Sequence, residues 1–445
     1  MANGESGLGN RAWEETKKRG DGELFSLVPY PYSLLPISYY LLPNHRGGCM
    51  KLKVLQLLKT SDGGEWALRQ MRELVKLGLE VHVALPLGGS LIPEYKAAGI
   101  TIHPFQPDFP MRQIWRCPQV LAQLRNLVSR IEPDVIHSHF VGTTLTMRLA
   151  LGKNHPIPRF FQVPGPLHLE HPLTRYGEIL TAGSSDYWIG SCEWTCKLYH
   201  QSGIPPERVF LSYYGDSLDE FVGHTKGKLR SYLGIDEKVK LVGMVAYMYP
   251  PKYFLGQTRG LKGHEDLIDA LAICLKKEPN ILGVFIGGAW GDAHAQAYEN
   301  RVRAYAQKHC PDRTIFLGTR DDVLELYPDL DVAVHPSHSE NVGAADESLL
   351  LAVPTIATNI GGFPDLIKQG ETGWLVPPKA PQKLAEAILE ALVDPVRSQI
   401  QAVQGQRLTK QLFDVKQTAR QILEIYQTVL SQRVVDYHQQ PLTQS

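Results

Sequence analysis

The sequence lacks the features that mark disulfide-stapled, nucleic-acid-binding and disordered proteins. Its 445 residues include only six scattered cysteines, and a chain of this length needs no disulfide bonds to stabilise its core. Lysine plus arginine and aspartate plus glutamate each number 46, so no basic surplus points to nucleic acid as a partner. Apolar residues make up 43% of the chain, which excludes a mainly disordered protein. We therefore expect a globular protein of a reducing, cytoplasmic compartment.

An apolar and aromatic stretch over residues 24–42 is interrupted by Pro29, Pro31 and Pro36. Proline removes a backbone donor and breaks helices, so a membrane-spanning helix is not expected there. The stretch also begins late for a signal peptide and lacks a small-residue cleavage site. We expect residues 1–49 to form a loose extension, and Met50 is an alternative start of the protein.

From residue 50 onward, short apolar runs alternate with helical patterns. Strands are predicted over Val54–Leu58, Glu80–Leu85, Asp134–His137, Leu241–Ala246, Leu282–Ile286, Thr314–Leu317, Asp331–His335 and Thr355–Thr358. Apolar strands that alternate with helices indicate parallel sheets covered on both faces. We predict an α/β protein in which two Rossmann-like, doubly wound domains face each other across a cleft.

The polar segment 223–228 is predicted to join the two domains. The first domain is placed at residues 50–222 and the second at residues 229–410, and a last helix over 411–435 is expected to pack back across the joint. Ligands of such sheets bind beside the carboxyl ends of the strands. The chemistry is therefore expected in the cleft.

The segment 336–378 carries the densest group of candidate binding residues. A polar loop after a predicted strand holds Glu340 and Gly343, and the short helix that follows carries Glu347. Backbone N–H groups at a helix start favour an anion, whereas carboxylates accept hydrogen bonds from sugar or ribose hydroxyls. The segment is therefore typical of a site for a sugar nucleotide, and an acidic cap on a solvated helix is the alternative interpretation.

Three other candidates also follow predicted strands. Lys262 precedes a helix, Gly63 and Gly64 lie between the first strand and its helix, and His139 ends a strand. Lysine can place a cation on a diphosphate, and glycine lets the backbone approach a phosphate closely. A surface lysine and a structural histidine are the alternative interpretations. The two glycines do not complete the Gly-x-Gly-x-x-Gly fingerprint of dinucleotide-binding proteins, which disfavours a dehydrogenase.

Together these motifs resemble the signature of the family 4 (group 1) glycosyltransferases, which have the GT-B fold of two Rossmann-like domains. The matching residues are Pro336-Ser337, Glu340, Gly343, Glu347, Pro354, Gly361-Gly362, Gly370 and Gly373-Trp374. The resemblance extends over most of residues 50–430. Glu340 and Glu347 lie seven residues apart here, whereas the family usually has eight, and Asp365 stands where the family often has glutamate.

The resemblance assigns the donor nucleotide sugar to the second domain and the acceptor to the first. It implies that Glu347 holds the ribose of the donor. It also implies that Glu340 holds the donor sugar, together with the backbone N–H groups of Val342 and Gly343.

The remaining roles concern the diphosphate and the sugar. Lys262 is implied to bind the diphosphate, and Gly63 and Gly64 to approach a phosphate. The family also has an arginine shortly after the preceding strand, and here Arg259, or else Lys252, is expected to replace it. His139 is implied to contact the donor sugar.

The activity implied is transfer of a sugar from a nucleotide-diphosphate sugar to a hydroxyl acceptor, with retention and without a metal or separate cofactor. The acceptor is a glycan, a lipid-linked molecule or a small molecule. Asp329 and Asp331 match the Asp-x-Asp pattern of metal-dependent enzymes. They open a buried strand, however, so we interpret them as structural. Trp115 and Arg116 place an aromatic residue beside a basic one, and such a pair is compatible with peripheral contact at the inner face of a membrane.

Two other classes of protein remain as alternatives. A non-catalytic subunit of the same fold would bind a glycan or a partner, and the shortened spacing of the two glutamates leaves this open. A sugar-nucleotide epimerase would use the same two domains but would release an isomerised sugar nucleotide.

Overall fold

The computed structural model describes residues 51–253, 256–291 and 293–439, with side chains described as far as residue 433. The expected extension over residues 1–49 and the alternative start at Met50 lie outside these residues. The strands are β1 Lys53–Leu57, β2 Glu80–Leu85, β3 Thr101–Pro104, β4 Val135–Ser138, β5 Arg159–Val163, β6 Asp186–Gly190, β7 Val209–Leu211, β8 Lys240–Val245, β9 Ile281–Ile286, β10 Thr314–Gly318, β11 Val332–His335, β12 Thr355–Thr358 and β13 Trp374–Val376.

Helices connect most of these strands. They are α1 Glu65–Lys76, α2 Ile92–Ala97, α3 Cys117–Ile131, α4 Val141–Leu151, α5 Leu167–Glu170, α6 Pro172–Leu180, α7 Glu193–Gln201, α8 Lys228–Leu233, α9 His264–Cys274, α10 Ala293–His309, α11 Val323–Leu326, α12 Ala345–Leu350, α13 Phe363–Leu366, α14 Pro381–Val393, α15 Pro395–Phe413 and α16 Val415–Gln439. Short 3₁₀ turns occur at Ile114–Arg116, Pro206–Arg208, Leu218–Phe221 and Tyr327–Asp329.

The strands form two sheets in which every described pairing is parallel. The first sheet has seven strands in the order β3-β2-β1-β4-β5-β6-β7, and the second has six in the order β10-β9-β8-β11-β12-β13. In each sheet the order reverses beside the first strand, which is the arrangement of a doubly wound fold. The predicted α/β architecture of two Rossmann-like domains is confirmed.

Each sheet is covered on both faces because its central strands are apolar on both sides. In the first sheet, Leu74 of α1 packs on one face and Leu124 of α3 on the other. In the second sheet, Leu271 of α9 and Tyr327 belong to the two opposite cores. Strands buried on both faces read as continuous apolar runs, which is why the sequence pattern revealed them.

The last helix returns from the second domain to the first. Helix α15 ends at Phe413, and Asp414 takes an extended conformation with φ −64° and ψ 111° before α16 begins. Helix α16 packs against α1, and its buried residues Ile422 and Tyr426 lie in the core of the first domain. The chain therefore crosses between the domains twice.

We expect Ile422→Ala to lower the free energy of unfolding by about 2–5 kcal/mol, because it removes a fully buried side chain and leaves a cavity under the first sheet. Urea unfolding monitored by tryptophan fluorescence measures this change. Gln427→Ala, at an exposed position of the same helix, is the matched control and should change stability by less than about 0.5 kcal/mol. Equal stabilities of the two variants would contradict the packing of α16 described above.

Candidate functional site

The candidate site lies where the carboxyl ends of both sheets face each other. The connection after β1 carries Gly63, and the connection after β9 carries Trp290. A Cβ atom added at Gly63 would lie 3.0 Å from Cη2 of Trp290, so the two domains approach closely at this edge. A side chain at Gly63 would therefore collide with the opposite domain, and its φ of +61° also favours glycine.

Lys262 and Glu340 form an ion pair on the second domain's side of the cleft. The Glu340 carboxylate also accepts hydrogen bonds from the Ser337 hydroxyl at 3.3 Å and from the Asn341 backbone N–H at 3.1 Å. Both members of the ion pair are only partly exposed to solvent. The structure thus brings together two of the predicted catalytic residues, one cation and one carboxylate.

The loop after Glu340 is held tightly against a pair of glycines. Gly362 donates its N–H to the Asn341 carbonyl at 2.6 Å, and a Cβ atom at Gly361 would lie 1.7 Å from the Glu340 carbonyl oxygen. Gly343 has a φ of +58°, and a Cβ atom there would lie 3.0 Å from the Glu340 carboxyl group. The loop between Glu340 and Glu347, which is one residue shorter than is usual in the family, therefore depends on glycine at these three positions.

Val342 points away from the cleft. Its side chain is buried in an apolar cluster between the domains with Cys192 and Tyr213. Only its backbone N–H can contact a ligand, which is the group that the predicted role uses.

Glu347 lies on α12 at the joint between the domains. Burial and then the charge of Asp216 raise the pKa of its carboxyl group, the charge of Arg69 and a hydrogen bond from Tyr327 lower it, and the net result is a pKa of about 7. A carboxyl group with a pKa near neutral pH changes its charge easily when its surroundings change.

The sequence analysis assigned no chemistry to Asp216 and did not single out Arg69. Asp216 forms an ion pair with Arg69 of α1 and a hydrogen bond with Asp346 of α12. The pKa of Asp346 is raised well above its usual range by burial and by the charges of Asp216 and Glu347, so Asp346 donates this hydrogen bond. The only earlier signal was that Asp216 follows a glycine in a segment that resembles a family motif.

Two aromatic side chains beside Glu347 were also missed. The rings of Tyr247 and Trp290 lie 4.6 Å apart between centroids. The pKa of Tyr247 is raised first by burial and then by nearby carboxylates, Glu347 among them. Partly exposed aromatic side chains near a ribose-binding candidate suit a nucleobase. The available signal was one aromatic residue two positions after β8 and another in the Gly-rich turn that follows β9.

Arg259 is held by carboxylates of the helix that follows it. Its guanidinium group forms ion pairs with Asp266 and with Asp269 at 2.8 Å, and it also reaches the Tyr305 hydroxyl at 3.5 Å. Two carboxylates of α9 thus neutralise it. A diphosphate would have to compete with these two carboxylates, and the replacement of the family arginine by Arg259 stays a prediction.

His139 does not project into the cleft. Its side chain is fully buried, with Nε2 2.7 Å from the Gln56 amide oxygen and Nδ1 3.1 Å from the Tyr214 hydroxyl. Its ring stacks on His137 at 4.4 Å between centroids. Burial lowers the pKa of both histidines, so they form a neutral polar layer under the site. The expected contact between His139 and the donor sugar does not fit this arrangement.

The glycine loop of the first domain is fixed by its neighbours. The Asp62 carboxylate accepts hydrogen bonds from the Ser90 backbone N–H at 2.6 Å and hydroxyl at 2.8 Å. The Gly64 carbonyl accepts the first backbone hydrogen bond of α1, from Ala67 at 3.0 Å. Gly63 and Gly64 therefore lie on a rigid loop at the mouth of the cleft.

Asp365 links the two domains. Its carboxylate accepts hydrogen bonds from the Glu193 backbone N–H at 2.8 Å and the Tyr213 hydroxyl at 3.0 Å, and burial raises its pKa to about 6. The aspartate that replaces the family glutamate is thus occupied at the interface between the domains.

The described residues contain no group of three or more histidine, cysteine, aspartate or glutamate side chains placed to hold a metal ion. Asp329 accepts hydrogen bonds from the backbone N–H groups of Gly227 and Leu229, both at 2.6 Å, and Asp331 pairs with Arg230 at 3.0 Å. Both aspartates therefore have the structural role inferred from the sequence.

The facing domains and their shared cleft define a protein of the GT-B fold. Two family models match the chain: "Glycosyl transferases group 1" at residues 250–407 and "Glycosyltransferase Family 4" at residues 63–215, together about 70% of its length. The chain belongs to the family 4 (group 1) glycosyltransferases.

Its relatives carry several specificities. D-inositol 3-phosphate glycosyltransferase of Acidothermus cellulolyticus is 26% identical over 395 residues, which cover 81% of this chain and 84% of that protein. A lipopolysaccharide core mannosyltransferase of Rhizobium meliloti is 26% identical over 46% of this chain and 56% of that protein.

Solved structures share the fold. Anabaena HepE in complex with UDP and glucose superposes with a TM-score of 0.70 at 22% identity, over 84% of this chain and 98% of that chain. Sucrose-phosphate synthase of Thermosynechococcus elongatus has a TM-score of 0.70 at 17% identity, over 86% of this chain and 100% of that chain. No helix within the described part of the chain is both long and apolar enough to cross a membrane.

We expect Arg69→Met to raise the pKa of Glu347 above its value of about 7, because the arginine charge stabilises the carboxylate. Carbon-13 NMR titration of labelled glutamate side chains measures this, with Glu347→Gln identifying the resonance. Arg72→Met is the control, since Arg72 lies on the same helix but pairs with Glu94. An unchanged titration of Glu347 in Arg69→Met would show that the arginine does not act on it.

Proposed function

We propose that this protein transfers a sugar from a nucleotide-diphosphate sugar to a hydroxyl acceptor, with retention and without a bound metal. The observation that supports the proposal is the ion pair of Lys262 and Glu340 at the carboxyl end of the second sheet, with Glu347 on the helix that follows the same loop. A further structure of Anabaena HepE is a complex with UDP-glucose, which supports a nucleotide-sugar donor.

The site offers one group for each part of such a donor. The Glu347 carboxylate accepts hydrogen bonds from the ribose hydroxyls, with Tyr247 and Trp290 beside the base. Lys262 offsets the charge of the diphosphate. Glu340 accepts hydrogen bonds from the hydroxyls of the donor sugar, which replace part of its present ion pair with Lys262.

The main catalytic contribution is electrostatic. As the bond between the anomeric carbon and the diphosphate breaks, negative charge grows on the leaving phosphate, and Lys262 stabilises it. In a front-face reaction the acceptor oxygen forms its bond to the anomeric carbon on the same side, and its proton passes to the leaving phosphate oxygen. Closure of the cleft excludes water, which would otherwise compete as acceptor.

The relatives favour a polyhydroxylated acceptor. One is named for inositol 3-phosphate and another for the lipopolysaccharide core, and both names describe molecules rich in hydroxyl groups. The family models are those of glycosyltransferases, which favours transfer over the two alternatives. The products distinguish them, because an epimerase would return an isomerised sugar nucleotide and a non-catalytic subunit would release no free nucleotide.

The decisive measurement is calorimetric titration with a panel of nucleotide sugars, followed by analysis of the products. We expect one donor to bind, and Glu347→Ala and Lys262→Ala each to weaken its binding about tenfold or more, because each removes a charge-assisted contact. Lys262→Ala should also reduce kcat by roughly 10²–10³-fold, by analogy with other donors to developing oxyanions.

Lys383→Ala and Glu386→Ala are matched controls, because these residues form an exposed ion pair on α14. They should leave binding and turnover unchanged. Retention is read from the anomeric configuration of the product by NMR, and metal independence from activity in excess chelator. If no nucleotide sugar of the panel bound, the assignment of Lys262 to the diphosphate and of Glu347 to the ribose would be wrong.

A peripheral membrane contact is the second part of the proposal. Met111, Ile114 and Trp115 are all strongly exposed, and Arg112 and Arg116 lie between and after them. Apolar and basic side chains mixed in this way suit the surface of an anionic bilayer, and would bring a lipid-linked acceptor to the first domain.

Co-sedimentation with anionic phospholipid vesicles tests this contact. Arg112→Gln and Arg116→Gln should each weaken binding about fivefold, which corresponds to about 1 kcal/mol per basic residue near an anionic surface. Arg301→Gln, on the exposed face of α10 in the second domain, is the control. Failure of the wild-type protein to sediment with vesicles would rule out the contact.

A further inference from the structure

A pocket of about 400 Å³ opens between the two domains and has no role in the site described so far. Its volume falls within the range of roughly 300–1,000 Å³ that is typical of small-molecule sites. One wall is the connection between β8 and α9, which spans residues 246–263. Connections between a strand and a helix usually have about two to six residues, and much longer ones are commonly functional.

Both domains contribute polar side chains to this pocket. Glu170 and His171 come from the first domain, at the turn between α5 and α6. Thr258, Ser339 and Lys379 come from the second domain, in the segments that follow β8, β11 and β13. The pocket is therefore complete only when the two domains face each other as they do in this structure.

The pocket adjoins the carboxylate assigned to the donor sugar. Ser339 lines the pocket and directly precedes Glu340 in the chain. Burial raises the pKa of the Glu170 carboxyl group, a hydrogen bond from Ser339 lowers it, and the charge of Glu340 raises it. A molecule in the pocket would thus lie next to the sugar that Glu340 is proposed to hold.

The second domain's side of the pocket is rigid. His338 donates its backbone N–H to the Leu261 carbonyl at 2.8 Å, and its ring forms an ion pair with Asp266 of α9. Gly263 has a φ of +77°, and a Cβ atom there would lie 2.1 Å from the Pro336 carbonyl oxygen. The connection and the loop after β11 are therefore fixed against each other before a ligand binds.

The charges that line the pocket nearly cancel. Arg259 is offset by Asp266 and Asp269, which leaves the Glu170 carboxylate and the Lys379 ammonium group. Among the residues that the structure describes, the side chain of Lys379 has no hydrogen-bond or ion-pair partner. A phosphate would be attracted by this lysine but repelled by the glutamate, so an uncharged ligand suits the pocket better.

The remaining lining suits a molecule rich in hydroxyl groups. A carboxylate accepts hydrogen bonds, an ammonium group donates them, and the Thr258 hydroxyl does either, as a sugar hydroxyl also can. Leu167, Leu261 and Pro381 add apolar surface, against which the C–H groups of a sugar ring can pack.

We propose that this pocket is the acceptor subsite and that it takes an uncharged, polyhydroxylated ring such as a hexose. The proposal rests on the proposed function, because it places the acceptor ring beside the donor sugar. The second domain then takes part in recognising the acceptor, which the family resemblance assigned to the first domain alone.

Saturation-transfer difference NMR with the full-length protein tests the pocket, with methyl α-D-glucopyranoside, methyl α-D-mannopyranoside and myo-inositol as probes. We expect at least one probe to bind. Glu170→Gln and Lys379→Met should each weaken its binding about tenfold, because each removes a hydrogen bond to a charged group. Thr258→Trp, which fills the pocket from an exposed position, should abolish binding.

The charge of the ligand is tested with glucose 6-phosphate. We expect it to bind no more tightly than methyl α-D-glucopyranoside, because Glu170 offsets the charge of Lys379. An affinity for glucose 6-phosphate about tenfold or more above that of the methyl glucoside would overturn the assignment of an uncharged ring.

A hexose in this pocket could belong to the acceptor or to the donor, and the two sources give different results. If it belongs to the acceptor, calorimetric affinity for the nucleotide sugar stays within about twofold in the three variants, while the KM for transfer to the bound probe rises about tenfold. If it belongs to the donor, affinity for the nucleotide sugar falls toward that of its nucleoside diphosphate, which would overturn the acceptor subsite.

Glu207→Gln and Lys277→Met are the matched controls, because both residues are exposed and precede β7 and β9, at the opposite edges of the two sheets. Probe binding within about twofold of the wild type in all three pocket variants would overturn the proposal, as would a wild type that binds none of the probes. If the protein bound no nucleotide sugar, the proposed function would fail, yet the NMR measurement would still decide for or against the pocket. Melting temperatures of all variants confirm that they are folded.

Discussion

Two backbone hydrogen bonds hold together the two segments of chain that cross between the domains. Asp216 donates its N–H to the Phe413 carbonyl at 2.6 Å, and its own carbonyl accepts the N–H of Val415 at 3.0 Å. Gly215, with a φ of +79°, permits this approach, since a Cβ atom there would lie 2.8 Å from Cα of Val415. The return of α16 to the first domain depends on this contact, and with it the relative position of the two sheets.

The same place concentrates negative charge. Three carboxyl groups, those of Asp216, Asp346 and Glu347, lie near the cation Arg69. They cannot all ionise in a buried setting, so a proton is shared between the two aspartates and Glu347 titrates near neutral pH. The ribose-binding candidate is therefore linked electrostatically to α1 of the first domain.

Most of the fold could be predicted from the sequence, but several strands could not. Strands such as β1, β4 and β11 are short apolar runs, and such runs are detectable locally. Strands β5 and β6 were not predicted because they begin with Arg159 and Asp186, charges that are unusual in a buried sheet. The structure pairs them in register with an ion pair at 2.6 Å, which satisfies both charges away from water.

The sequence by itself determined the two alternating series of strands and helices, and the motif that carries Glu340, Gly343 and Glu347, because periodicity and glycine-dependent turns are properties of neighbouring residues. Only the tertiary structure decided which polar side chains face the cleft. His139 is buried by partners that are distant in sequence, and Arg259 is neutralised by the following helix. Asp216 gained its position in the same way, through Arg69 of α1. Charge pairing and burial depend on distances between segments that a linear pattern does not contain.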